Sequence, residues 1–197
     1  MKSRDIISAL EPVIRAFEGL GIEYYISGSL ASSAYGIARV TLDVDLVANL
    51  KLLNVDSLVK SLRAEYYINE NMINNAIGNT SSFNLIHLET MIKIDIFILK
   101  DTPFNQSAFS RKRLDTIDEE GSNKFFLAAP EDIILIKLEW YRKGGAVSQQ
   151  QWLDILGVLK VQKDSLDTNY LRYWASQMNV TDMLEHAFND VGINPLD

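Results

Sequence analysis

The sequence contains no cysteine, only two histidines and no apolar run as long as a membrane span. Without cysteine the chain has no disulfide and no thiolate for catalysis or zinc binding, which is consistent with a cytoplasmic location. Two histidines are too few to build a metal site from imidazoles, so we expect any metal to be a hard cation held by carboxylates. Asp5 and Glu11 interrupt the N-terminal apolar stretch, so we expect neither a signal peptide nor a membrane span.

The composition is that of an ordinary globular protein. The chain has 197 residues, of which 47% are hydrophobic and 23% are charged, so it has enough apolar surface for a sizeable core. The formal net charge of -7 repels phosphate backbones at long range. We therefore expect no extended nucleic-acid binding, although a local basic groove is compatible with this charge.

Helical and strand patterns alternate in the first half of the chain. The predicted helices are 5–19, 29–36 and 55–65. The predicted strands are 22–27, 41–48 and two within 83–99, joined by a tight turn near Glu89-Thr90. Residues 71–82 are polar and rich in turn-forming residues, which indicates a loop.

The second half begins with a hairpin pattern and continues with helices. Residues 113–128 resemble a hairpin that turns at Glu120-Gly121, and Pro130 is placed to open a helix. The later helices are predicted near 148–161, 167–178 and 180–189. We predict an α/β (α+β) fold with a mixed β-sheet flanked by helices in residues 1–128, hairpin included. We predict that residues 129–197 form a helical C-terminal region packed on that core.

Two aspartates lie on one face of a predicted strand. Asp43 and Asp45 alternate with apolar residues in TLDVDLVA, so both side chains point the same way. Adjacent carboxylates repel each other, and a divalent cation between them removes the repulsion. The alternative is a strand face that is simply solvated, because a short D-x-D pattern arises freely.

Two further features favour the metal site. Asp95 interrupts the strongly apolar strand MIKIDIFIL, where an unpaired carboxylate costs several kcal/mol. Gly28-Ser29 ends an apolar strand just before a short helix, which presents backbone N–H groups and a hydroxyl to an anion. The segment has neither the lysine of a P-loop nor the glycines of a dinucleotide-binding turn.

Together these residues resemble the nucleotidyltransferase superfamily, which has the DNA polymerase β-like fold. The matching pattern is Gly28-Ser29, a spacer of thirteen residues, Asp43-Val-Asp45 and a later Asp95. The segments GSLA…ARVTLDVD and PEDIILIKLEW are most similar to small bacterial members of the stand-alone, abortive-infection and aminoglycoside-modifying types. The resemblance implies a mixed sheet flanked by helices. It also implies that Gly28-Ser29 holds phosphate and that the aspartates hold metal, with Asp95 as a ligand or as the base.

Two charges interrupt the apolar faces of the later helices. Lys137 either extends to solvent or contacts an anion, and the resemblance favours a triphosphate contact. Asp154 in QWLDILGVL is interpreted as the buried partner of a cation such as Lys137 or Arg39.

These patterns predict an enzyme that moves a nucleoside monophosphate from an NTP, with ATP the expected donor, onto a hydroxyl. Mg²⁺ or Mn²⁺ is the expected cofactor. The expected acceptor is a small molecule or a partner protein such as a toxin, and the acidic net charge argues against a tRNA end. The alternative is a non-catalytic nucleotide-sensing or toxin-antitoxin interaction module on the same fold.

Overall fold

The computed structural model describes residues 3–39, 41, 43–117 and 123–193. The helices in these ranges are α1 (Ser3–Gly19), α2 (Gly28–Tyr35), α3 (Val55–Leu62), α4 (Glu70–Gly78), α5 (Pro103–Ser110), α6 (Pro130–Lys143), α7 (Gln149–Gln162), α8 (Thr168–Gln177) and α9 (Thr181–Val191). The strands are β1 (Tyr24–Ser27), β2 (Asp43–Ala48), β3 (Tyr66–Tyr67), β4 (Ser82–His87), β5 (Lys93–Ile98), β6 (Arg113–Thr116) and β7 (Lys124–Leu127). Most predicted elements are present, with ends shifted by a few residues.

The strands of the described residues form one mixed sheet in the order β3-β4-β5-β2-β1-β7-β6. β2 pairs in parallel with β5 and antiparallel with β1, and β7 pairs in parallel with β1. The remaining neighbours are antiparallel. The predicted mixed α/β fold, a sheet flanked by helices, is confirmed.

Alternation along the central strands assigns one sheet face to the core. Val44, Leu46, Ile94 and Ile96 are fully buried on that face. The intervening residues of β2 and β5, which include the predicted site aspartates, lie on the opposite, partly accessible face. The period of two in the sequence therefore separates the core from the candidate site.

Two helices correct the sequence prediction. The segment predicted as a loop contains α4, because the Asn69 side chain caps it by accepting a hydrogen bond from Met72 N (3.1 Å) and because Ile73 and Ala76 are buried. Helix α5 was not predicted either. The Thr102 side chain caps it, and Phe104, Ala108 and Phe109 are buried. In both segments a short apolar stripe and a cap outweigh the polar composition.

The predicted hairpin is part of the sheet. β6 and β7 pair antiparallel, and Ile26 of β1 lies beside Leu127 of β7. The predicted turn at Glu120-Gly121 lies outside the described residues. Helix α2 packs against α6 and α7, so the later helices contact the first half directly. The division of the chain at residue 128 stays a prediction.

In the part of the chain that the structure describes, no helix is both long and apolar enough to cross a membrane. The cytoplasmic location stays a prediction.

Candidate active site

Strand register brings the three predicted aspartates to one face of the sheet. Asp45 lies between Ser27 of β1 and Asp95 of β5, directly opposite each. Asp43, two residues before Asp45, lies on the same face and opposite Lys93. The structure places the three aspartates on one sheet face, with Asp45 against Gly28 of the turn. Their catalytic and metal-binding roles stay predictions.

The turn after β1 requires glycine. Gly28 has a φ of +61°, in the left-handed region that glycine adopts without strain. A Cβ at this position would lie 2.7 Å from Cγ of Asp45 and would overlap its carboxylate. The backbone of the predicted phosphate-holding turn and the Asp45 carboxylate are therefore in direct contact.

Asp45 is in an unfavourable environment for a negative charge. Burial raises the pKa of this carboxyl above its ordinary value, and the nearby charges of Asp95 and Asp43 raise the pKa further. The ammonium groups of Lys137 and Lys93 act in the opposite direction without cancelling the shift. A cation at this position would relieve the repulsion.

Lys93 is a site residue that the sequence interpretation missed. Its Nζ lies 2.7 Å from Oδ2 of Asp95 and 3.7 Å from Oδ1 of Asp43. Because it lies two residues before Asp95 on a regular strand, alternation alone places it on the same face. The alternation in KIDIFI therefore predicts the position of this lysine as well as that of Asp95.

The donor chemistry of this face fits a hard divalent cation. Carboxylate oxygens are the preferred ligands of Mg²⁺ and Mn²⁺, and Asp45 and Asp95 are direct neighbours across parallel strands. Among the described residues, no group of three histidine, cysteine, aspartate or glutamate side chains is arranged as a complete ligand set. Lys93 instead forms ion pairs with two of the carboxylates. A cation on this face would bind Asp45 and Asp95, and the role of Asp43 as a further ligand stays a prediction.

A second cluster connects the turn to the helical region. Asp154 of α7 accepts hydrogen bonds from Lys137 Nζ (2.8 Å), Arg39 Nε (2.9 Å) and Gln150 Nε2 (3.1 Å). Arg39 Nη2 donates to Asp154 (3.1 Å) and also to the hydroxyl of Ser29. The interpretation of Asp154 as the buried partner of Lys137 or Arg39 is confirmed, since it binds both.

Asp154 stays ionised although it is buried. Burial raises the pKa of its carboxyl, but hydrogen bonds from Arg39 and Lys137 outweigh burial and leave the pKa below its ordinary value. The charge of Asp154 is thus committed to the two cations.

A cleft of about 870 Å³ extends from the turn across the site face of the sheet to α6 and α7. The residues of both clusters that line it are Gly28, Ser29, Arg39, Asp45, Lys137, Gln150 and Asp154. Asp43 and Asp95 lie on the same sheet face, outside the lining. The predicted position of Lys137, at the cleft between sheet and helical region, is confirmed. Its binding of a nucleotide stays a prediction, as does that of Gly28 and Ser29.

Solved structures share this fold. The solution structure of the antibiotic-resistance factor ANT(2'')-Ia has a TM-score of 0.57 at 13% identity, covering 96% of this chain and 100% of that chain. The lincosamide antibiotic adenylyltransferase LnuA, solved with lincomycin bound, has a TM-score of 0.52 at 12% identity. The match covers 82% of this chain and 98% of that chain. A nucleotidyltransferase-like protein from Paracoccidioides brasiliensis has a TM-score of 0.56 at 18% identity, covering 96% and 94%.

No family model and no curated protein matches the chain. At the low identities of the structural matches, the likeness demonstrates the fold alone. The chain has the nucleotidyltransferase fold, as its motifs predict.

Proposed function

We propose that this protein is a nucleotidyltransferase that moves a nucleoside monophosphate from an NTP to a hydroxyl group. ATP is the proposed donor, and Mg²⁺ or Mn²⁺ the proposed cofactor. The observation that carries the proposal is the position of Asp45, which lies in register beside Asp95 and in contact with the Gly28 turn. The shared fold with an adenylyltransferase that acts on a lincosamide antibiotic supports the same chemistry.

Each part of the site has a role in this reaction. Gly28, Ser29 and Lys137 hold the phosphates, and Asp43 and Asp45 hold the cation with Asp95. When bound, the cation would neutralise negative charge on the α-phosphate and lower the pKa of the attacking hydroxyl.

The acceptor oxygen forms a bond to the α-phosphorus, and the bond between the α- and β-phosphates breaks. Pyrophosphate leaves with the electron pair. In this proposal Asp95 serves the acceptor: the hydroxyl proton passes to its carboxylate and then to solvent.

The charges in the cleft favour an acceptor that is a small anionic or neutral molecule. Glu139 pairs with Lys143 (2.7 Å), and Asp154 is committed to its two cations. Lys100 and Arg142 also line the cleft, and neither has an acidic ion-pair partner among the residues that the structure describes. Asp45 is the remaining acid of the lining and is assigned to the cation, so a polyamine acceptor would meet an excess of positive charge in the rest of the cleft. A hydroxyl on a partner protein is the other proposed acceptor.

One observation favours a second candidate function. The Lys93 ammonium pairs with Asp95 and Asp43, which are two of the proposed cation ligands. A site in which a lysine holds this position permanently would bind nucleotide without turnover. Such a protein would act as a nucleotide sensor or as a toxin-antitoxin interaction module.

Incubation with α-labelled NTPs, Mg²⁺ and a cell lysate tests the proposal. A transferase attaches label to an acceptor and releases pyrophosphate, and Asp45→Asn abolishes both. Nucleotide binding without any labelled acceptor in lysates of several bacteria would identify the sensor instead. The four NTPs, supplied separately, determine the base preference.

A further inference from the structure

Asp154 of the helical region binds Arg39 and Lys137, and both of these side chains lie at the proposed phosphate site. We propose that Asp154 is a positioning residue, which acts through Arg39 on the Ser29 hydroxyl and directly on Lys137. The function of the contact would be to orient both groups toward the triphosphate. This inference rests on the proposed binding of an NTP at the same site.

The Asp154 carboxylate has no remaining capacity for direct chemistry. Oδ1 accepts from Arg39 Nε and Gln150 Nε2, and Oδ2 accepts from Lys137 Nζ and Arg39 Nη2, at 2.8–3.1 Å. The residue is 9% exposed. Two bonds to each oxygen of a buried carboxylate fill its acceptor sites, so it acts through its neighbours rather than as a base or ligand.

Arg39 determines the direction in which Ser29 donates. A guanidinium group only donates, so the contact between Arg39 Nη2 and Ser29 Oγ makes the hydroxyl oxygen an acceptor. The single hydroxyl hydrogen of Ser29 must then point away from Arg39. Ser29 lines the cleft in the first turn of α2, where that hydrogen is available to a phosphate oxygen.

Asp154 also stabilises Lys137 in a buried position. Lys137 is 7% exposed, and an unpaired ammonium there would be costly. The ion pair of 2.8 Å uses one of its three hydrogens. The other two remain for a ligand, and the ammonium keeps a fixed place on the cleft wall.

A backbone contact between α2 and α7 fixes the position of Asp154 relative to the α2 segment. A Cβ at Gly36, just after α2, would lie 2.8 Å from Val158 N, and one at Gly157 would lie 3.2 Å from Ile37 N. The end of α2 and the middle of α7 therefore touch without intervening side chains. Asp154, one turn before Gly157, is held at a fixed distance from the α2 segment.

A double-mutant cycle on Mg·ATP affinity tests the inference. Calorimetry would compare wild type, Asp154→Asn, Ser29→Ala and the double variant. We expect Asp154→Asn to weaken ATP binding by about 10–100-fold, as for loss of charged hydrogen bonds. Ser29→Ala should weaken binding in wild type but have little further effect in Asp154→Asn, because the hydroxyl is no longer oriented.

Asp132→Asn is the matched control. Asp132 is likewise a buried carboxylate, bound to Arg111 Nε (3.3 Å) and to the Tyr170 hydroxyl (2.6 Å), and it lies outside the cleft lining. We expect Asp132→Asn to lower the free energy of unfolding but to leave ATP affinity within about twofold of wild type, as for distant sites. Urea unfolding of every variant separates stability from binding.

Four results would overturn the inference. Additive losses in the cycle would mean that Asp154 does not act through Ser29, and an equal loss in Asp132→Asn would mean that only stability matters. If Asp154→Asn fails to fold, Arg39→Lys replaces it, since lysine keeps the charge but not the forked contact. Normal ATP affinity in Arg39→Lys would then also reject the inference. Lack of transfer with ATP binding intact would remove the proposed reaction alone, whereas lack of ATP binding by wild type would remove both proposals.

Discussion

At the scale of single residues, Asp45 is where negative charge and burial coincide. Its carboxyl lies beside Asp95 and Asp43, and its pKa is raised. Asp45→Asn should raise the free energy of unfolding in metal-free buffer near neutral pH, because a repulsion disappears. It should also remove the increase in melting temperature that we expect Mg²⁺ to cause in wild type through binding to the folded state. Thermal melts with and without Mg²⁺ check both effects, and an unchanged Mg²⁺ response would place the metal elsewhere.

Whether Lys93 blocks cation binding decides between the proposed enzyme and the proposed sensor. Because its ammonium pairs with Asp95 and Asp43, it competes with a cation for the same oxygens. Lys93→Met keeps the side-chain volume and removes the charge, so Mg²⁺ should raise the melting temperature at lower concentrations than in wild type. A Mg²⁺ titration of both proteins measures this. Weaker Mg²⁺ binding in Lys93→Met would show that the lysine supports the site rather than competing for it.

At the scale of elements, the contact between α2 and α7 determines where the helical region meets the site. Gly36→Ala places a methyl group 2.8 Å from Val158 N, a backbone atom that cannot rotate away. We expect a loss of stability of about 1–3 kcal/mol, as for overpacked sites, together with weaker ATP binding. Urea unfolding and calorimetry provide the two measurements.

Gly78→Ala is the matched control for that prediction. Gly78 ends α4, and nothing lies within 4 Å of an added Cβ. Its substitution should leave stability unchanged or increase it by up to about 1 kcal/mol, because alanine restricts the unfolded chain. Similar losses of stability in Gly36→Ala and Gly78→Ala would show that the close α2–α7 contact is not the cause.

At the scale of the whole molecule, an acidic chain carries unbalanced positive charge in its cleft. The net charge is -7, whereas Lys100 and Arg142 on the cleft wall lack acidic partners within the described ranges. We expect label from ATP to appear in the anionic or neutral fraction of a metabolite extract after ion-exchange separation. Activity confined to the cationic fraction would contradict this. Replacing both residues with glutamine should reduce transfer to anionic acceptors while ATP affinity stays near wild type.

Much of the fold follows from local sequence patterns. Alternation in β2 and β5 separates Val44 and Ile94 from the aspartates, because strand side chains alternate between faces whatever the partner strand. Gly28 at the end of β1 is likewise a local requirement of the turn. Helix α4 was not predicted because its polar composition resembles a loop until burial of Ile73 and Ala76 is known.

The sequence alone determined which residue types face the site: paired aspartates, a later aspartate and a glycine-serine turn. Only the tertiary structure decided their partners. Asp154 meets Arg39 across 115 residues of chain, and Asp95 lies opposite Asp45 because β2 and β5 pair in parallel and in this register. Periodicity specifies the face on which a side chain lies, whereas strand order and helix docking specify its neighbour, and these depend on the packing of the whole core.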